Sequence, residues 1–361
     1  MLHFFWCGYY LSENSYKFYE FSNFEIAKWA EYYLGKKIAF HQSNWYAGKV
    51  TENPNDILIG HPTWDGRIFT EKAKHGDLVH NWVKDNALTP KDKCHTNTYI
   101  LMPWVPEFPI EWTPNMPYYK SQLLAAQKIF ALGGEIWIDR THQKMDNSIQ
   151  FCVKDKLIHC NMCVAGHNFS VFKQRFNEIG ERQILHISHL GSYKGFDITC
   201  KSIQGLDTLL HVASNNIQAN QGLLEISIEE QPYIFNFLGS IDNNNPEFNQ
   251  WVVENCDFYI HTATMDAQAT TILENCARGL VPLVTPESGF ASPHAIYLTH
   301  DPSENRKIIE WALNLPESEL LGRSRLVREQ ILQEHNWEVI YNQIWEEIQA
   351  DIENRAQKKP K

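Results

Sequence analysis

Residues 258–289 read FYIHTATMDAQATTILENCARGLVPLVTPESG. An apolar run ends near His261, a polar turn follows, helical spacing begins near Thr270, and Gly279 stands where that helix would be capped. A second apolar run, VPLV, comes next. Strand, turn, helix and strand in this order predict a parallel sheet covered by helices. The turn puts the backbone N–H groups of Ala269, Thr270 and Thr271 at a helix N-terminus, where hydrogen bonding and the helix dipole favour an anion such as a diphosphate. Glu274, one turn further in, can accept a pair of hydrogen bonds from vicinal hydroxyls such as a ribose offers, and Asp266 in the turn can face a sugar. The plain alternative also stands: a favourable helix-terminal charge at Asp266 and a solvated Glu274.

Upstream, residues 184–198 read ILHISHLGSYKGFDI. An apolar strand leads into a short loop with Gly191, then Lys194 and Gly195 before a helix. A lysine there can neutralise phosphate as a compact point charge, and Gly195 lets the backbone approach closely; otherwise Lys194 is an exposed surface lysine. Around these segments QILHISHL, LLEISI, IFNFLG, FYIHTA, VPLVTP and AIYLTH read as strands, with LDTLLHVASNNIQ and NRKIIEWALNL as helices. In the first half LHFFWCG, KKIAFHQ, DILIGHP, TYILMPW and GEIWIDR read as strands, and FEIAKWAEYYLG as a helix stopped by Gly35. PWVPEFPIEWTPNMP holds five prolines and must be a loop. The expected organisation is an N-terminal α/β domain over 1–177, a second over 178–335, a closing helix over 336–352 and a basic tail over 353–361. Two such domains facing each other leave a cleft, and ligands of open parallel sheets bind at the carboxyl ends of the strands.

The chain has 361 residues, enough for two domains, with 43% hydrophobic and 21% charged residues, as in ordinary globular proteins. With 43 acidic against 32 basic side chains the formal charge is −11, which argues against nucleic acid as a partner. The N-terminal MLHFFWCGYYLSEN lacks a basic n-region and reads as a first strand, not a signal peptide. No apolar run approaches the length of a membrane-spanning helix, although peripheral membrane contact stays open. The eight scattered cysteines suit reduced thiols in a cytoplasmic protein. Cys160 and Cys163 have metal-ligand spacing, but no second CxxC or histidine pair accompanies them.

The segments around Lys194 and Glu274, in this order, resemble the donor-binding half of the retaining GT-B glycosyltransferases known as glycosyl transferases group 1. That family carries a GR…KG loop followed by an E-x7-E motif running into EAmAcGlPVv; the counterparts here are SHLGSYKGFD and DAQATTILENCARGLVPLV. FNFLGSI, PEFNQWVVENCDFYI, HNWEVIYNQIWEEI and HCNMCVAGHNFSVF resemble its flanking marks, so the similarity covers roughly residues 157–348. It implies two Rossmann-like domains facing a cleft, with Lys194 on the donor diphosphate, Glu274 on the nucleotide ribose, and Asp266 on the transferred sugar or its phosphate. Two positions depart from the pattern: the first glutamate is Asp266, and the arginine five residues before the lysine is His189, whose neutral imidazole would compensate the diphosphate less. In the first half, Gly8 stands where the family has a glycine-rich loop, and His61 is the candidate for a strand-end histidine near the sugar. Asp65, Asp139 and His142 are weaker candidates.

The resemblance implies transfer of a hexose-type sugar from a UDP- or GDP-sugar with retention, without metal or another cofactor; no DxD element follows a strand. The acceptor, whether glycan, lipid, protein or small molecule, is not legible; Tyr9, Tyr10, Trp45, Trp64, Trp104 and Trp112 suit stacking on sugars and packing equally. Two other functions are compatible: a nucleotide-sugar 2-epimerase on the same fold, and a sugar-nucleotide or glycan-binding protein without catalysis.

Overall fold

The computed structural model describes residues 2–5, 28, 31, 38–41, 55–60, 97–102, 126–144, 153–164, 169–214, 235–242 and 245–358. Gly8, His61, Asp65, the six aromatic residues named above, the proline-rich loop and the LLEISI run lie outside them, as does the side chain of His142. The chain divides into two compact units, one formed by Met1–Asn161 with Trp337–Lys361, the other by Met162–Asn336.

The first unit is built on a six-stranded parallel sheet of β1 (Leu2–Phe5), β2 (Ile38–His41), β3 (Ile57–Gly60), β4 (Thr98–Met102), β5 (Lys128–Leu132) and β6 (Leu157–Cys160), ordered β2-β1-β3-β4-β5-β6. GEIWIDR, expected as a strand, is instead the start of helix α1 (Glu135–Lys144); the neighbouring KIFAL is the strand. The reason is burial. Trp137 and Ile138 face inward while Ile136 and Asp139 are exposed, a helical and not an alternating pattern, and Gly133 at φ 152° breaks the chain just before it. The closing helix runs over Trp337–Gln357, further than expected. It buries Trp337, Ile340, Tyr341, Ile344 and Ile348, spaced to share one face. Polar contacts fasten it to the first unit's strands: Tyr99 donates to Asp351 at 2.6 Å, Lys128 pairs with Glu347 at 3.0 Å, and Gln343 donates to the His159 carbonyl at 3.0 Å.

The second unit carries another six-stranded parallel sheet: β7 (Ile184–Ile187), β8 (Leu210–Ala213), β9 (Phe235–Gly239), β10 (Phe258–His261), β11 (Val281–Val284) and β12 (Ile296–Tyr297), ordered β12-β11-β10-β7-β8-β9. Between the strands come α2 (Phe196–Ile203), α3 (Pro246–Asn255) and α4 (Thr270–Ala277), and after β12 come α5 (Pro302–Leu313) and α6 (Glu317–Glu334). Every residue of β7, β8, β10 and β11 is buried, as continuous apolar runs in a parallel sheet covered on both faces should be. LDTLLHVASNNIQ, expected as a helix, contains β8, because Leu210–Ala213 pairs residue for residue with Ile184–Ile187 and fills the core. A short apolar run fits either periodicity, and the tertiary pairing decides.

Met162–Val164 and Phe169–Asn177, assigned from sequence to the first domain, belong to the second unit. Lys173 is sealed inside it, paired with Asp257 at 3.0 Å and donating to the Val253 and Cys256 carbonyls, while Asn177 caps the other side of the same carboxylate. A buried charge pair with its remaining valences filled holds the segment in place.

Candidate functional site

The strand order creates the site. Chain leaving β7 turns one way towards β8, whereas β10 lies on β7's other side. Such a switch point opens a crevice at the carboxyl ends of the two strands. The loop after β7 brings Lys194 there, and the loop after β10 brings Asp266.

Three contacts shape the first loop. Ser188 Oγ accepts from Leu190 N–H at 3.0 Å, and Leu190 adopts the uncommon φ of 57°. A 3₁₀ turn over Ser192–Lys194 ends at Gly195, whose φ is 67° and where a Cβ would lie 1.9 Å from the Thr262 carbonyl oxygen. Only glycine allows the two loops to meet so closely. Thr262 Oγ1 donates to the Gly195 carbonyl at 2.6 Å and accepts from Thr199 Oγ1 at 2.8 Å, tying the loops together.

With the loops tied, Lys194 Nζ forms a short ion pair with Asp266 Oδ2, and His261 Nε2 reaches the same oxygen at 3.1 Å. The Lys194 and Asp266 side chains are 15% and 10% exposed, so the pair sits at the rim of the interior. Burial opposes ionisation of Asp266, but the His261 hydrogen bond and the charge of Lys194 outweigh it and hold the carboxyl below its usual range. Burial holds His261 below its ordinary value, against the pull of Asp266, and holds His186 down to about 3, so the His186 imidazole is neutral. Their rings stack 5.9 Å apart, with His186 anchored to the Ile260 carbonyl at 3.1 Å and to Ser188 Oγ at 2.8 Å. His261 Nδ1 is buried without a partner among the described residues. If Nε2–H donates to Asp266, that nitrogen is a bare acceptor.

Helix α4 begins as expected at Thr270, and its N-cap, Ala269, offers no side-chain acceptor. Of the three N–H groups expected to be available, Ala269 N–H is taken by the Ser288 carbonyl at 3.3 Å. Those of Thr270 and Thr271 have no acceptor among the described residues. The Thr271 hydroxyl lies in hydrogen-bond contact with Tyr259 Oη at 2.7 Å, and Tyr259 Oη reaches the Ile187 carbonyl at 3.0 Å, so the start of the helix is tied to the sheet. Glu274 is half-buried one turn on. Its charge is felt by Arg278, a fully buried guanidinium that burial lowers to about 10. Asn249 and Asn275 accept from Arg278, and Phe169 stacks 4.8 Å from it. Gly279 follows at φ 84°, in the conformation that ends the helix.

Lys194, Gly195 and Asp266 therefore meet, with His189 on the same loop as Lys194 and with Thr270, Thr271 and Glu274 on the helix that follows Asp266. Asp139 is exposed on α1 in the other unit and joins no described site. Cys160 and Cys163 are buried and in no disulfide among the described residues, and burial pushes the Cys160 thiol up to about 12. Among the described residues no group of His, Cys, Asp and Glu is arranged to hold a metal, and no helix is long and apolar enough to cross a membrane. Two contributors are invisible to motif matching: His261, whose only mark is its place at a strand end, and Thr262, whose hydroxyl and carbonyl shape the lysine loop.

No family model and no curated protein matches the chain in sequence. Solved structures match it in fold. A glycosyltransferase from Rickettsia africae is 12% identical with a TM-score of 0.65, over 98% of this chain and 99% of that one. HepE from Anabaena, solved with UDP, is 10% identical with a TM-score of 0.61, over 97% and 99%. TarM from S. aureus, solved with UDP, fondaparinux and α-GlcNAc-glycerol, is 12% identical with a TM-score of 0.56 over 82% of this chain, which spans only 56% of the TarM chain. The chain has the GT-B fold of these glycosyltransferases.

Proposed function

We propose that the chain is a glycosyltransferase whose second unit binds a nucleoside-diphosphate sugar at the switch point between β7 and β10. The observation that carries this is the pairing of Lys194 with Asp266 in the turn that leads into α4, whose Thr270 and Thr271 N–H groups have no acceptor among the described residues. A cation and a helix N-terminus at one crevice make a site for a diphosphate. Glu274 would take the ribose hydroxyls, and Asp266 the transferred sugar or its phosphate. A UDP- or GDP-sugar is the expected donor, with transfer of a hexose to an acceptor hydroxyl from the face that the nucleotide leaves. Negative charge grows on the departing phosphate, so Lys194 and the helix dipole stabilise the transition state more than the bound donor, without a metal.

One observation favours a second reading, a sugar-nucleotide-binding protein without turnover: Lys194 is already neutralised by Asp266, and His189 stands where the resembled family has arginine. Thermal melts with UDP, GDP and ADP in EDTA test the site itself. Saturation at 100 times the dissociation constant stabilises the fold by about 2.7 kcal/mol; no shift with any of the three rejects the donor site. Donor hydrolysis or transfer, measured on the nucleotide that binds, then separates enzyme from binder.

A further inference from the structure

The hydrogen bonds around His189 have a direction. Gly191 N–H donates to His189 Nδ1 at 3.1 Å, so that nitrogen is the acceptor of the imidazole. The proton must then sit on Nε2, which lies 2.6 Å from Tyr193 Oη and donates to it. The phenol oxygen is thereby an acceptor, and its own hydrogen is left to point elsewhere; among the described residues nothing accepts it. Tyr193 is 41% exposed, and its ring lies 5.2 Å from the Lys194 ammonium. Burial and the nearby Lys194 charge lower His189 from its ordinary value, while burial and Asp266 raise the phenol. Gly191 is part of the device: a Cβ there would come within 2.6 Å of the His189 ring and 3.1 Å of the Tyr193 ring and force the pair apart.

We propose that Tyr193 supplies a second diphosphate-binding donor beside Lys194, its O–H aimed outward by the Gly191–His189 relay. The proposal rests on the donor-site reading above and deepens it. The histidine does not contact phosphate in place of an arginine; it orients a tyrosine that does. An O–H polarised by a hydrogen bond to its oxygen is a stronger donor than a lone phenol, because linked hydrogen bonds reinforce one another.

Calorimetric titration of UDP and GDP into wild type, Tyr193→Phe, His189→Ala and the double variant tests this, with uridine affinity followed by ligand-detected NMR. Tyr193→Phe keeps the ring over Lys194 and removes only the hydroxyl. Loss of one hydrogen bond to a charged group at a partly exposed site should weaken diphosphate binding roughly tenfold, with uridine affinity and melting temperature unchanged. His189→Ala should weaken it less. The double variant should be no worse than Tyr193→Phe, because the histidine acts only through the phenol. Tyr193→Phe binding UDP and GDP like wild type overturns the proposal alone, as does an additive double variant, which would make His189 an independent contact. Wild type binding neither nucleotide would instead sink the donor site, and this inference with it.

Discussion

Asp266→Asn separates two effects of one carboxylate. In the free protein Asp266 neutralises Lys194 and accepts from His261. A diphosphate drawn to Lys194 meets that carboxylate as a like charge. At a separation of about 5 Å and an effective dielectric near 20, two unit charges repel by roughly 3 kcal/mol. The carboxylate's 10% exposure leaves little water to screen it. Relaxation and water entering with the ligand should halve the repulsion, leaving about 1.5 kcal/mol, or roughly tenfold in affinity. The asparagine keeps the shape and still accepts from His261 Nε2 through its amide oxygen. UDP should therefore bind Asp266→Asn about tenfold more tightly than wild type, while transfer from the intact donor falls because the carboxylate contact to the sugar is lost. Calorimetry with UDP and initial rates with the sugar nucleotide measure the two. If Asp266→Asn instead weakens UDP binding as much as Lys194→Ala does, the carboxylate orients the ammonium for the phosphate and the repulsion argument is wrong.

Lys194→Ala and Glu274→Ala should each lower kcat/KM by roughly ten- to hundredfold in folded protein. Steady-state kinetics should show them differing in kind: the lysine change acts on kcat through leaving-group charge, the glutamate change on KM through the unreacting ribose. Gly195→Ala must leave the left-handed conformation or push the Thr262 carbonyl away. Strain of this kind costs about 1–3 kcal/mol, so both a lower melting temperature and weaker UDP binding are expected, and a variant unchanged in both would show that the two loops need not meet so closely. His186, fully buried and held down to about 3, stays neutral in the folded chain while its unfolded counterpart protonates near 6.5. The unfolded state thus binds more protons below pH 6.5. The stability this group contributes is fully present above that pH and is lost as pH falls from 6.5 towards 3, at about 1.4 kcal/mol per pH unit. Denaturant unfolding of His186→Gln at pH 7 and pH 5 should show that slope removed; an unchanged slope would mean that the imidazole is charged in the fold.

The sequence by itself determined what local chemistry encodes. Buried parallel strands must be apolar along their whole length, so ILHI, FYIH and VPLV announce themselves, and α4 is bracketed by a turn before Thr270 and a left-handed glycine at 279. Short runs were ambiguous for the same reason: GEIWIDR and LLHVA suit either periodicity, and only the partners that bury them selected helix for one and strand for the other. What only the tertiary structure decided is how the site closes. Lys194 and Asp266 lie on separate loops, and they meet because β7 and β10 are neighbours in the sheet although β8 and β9 come between them along the chain. His261 and Thr262 gain their roles from that same adjacency, which depends on how whole elements share a core and so leaves no mark on the residues beside them.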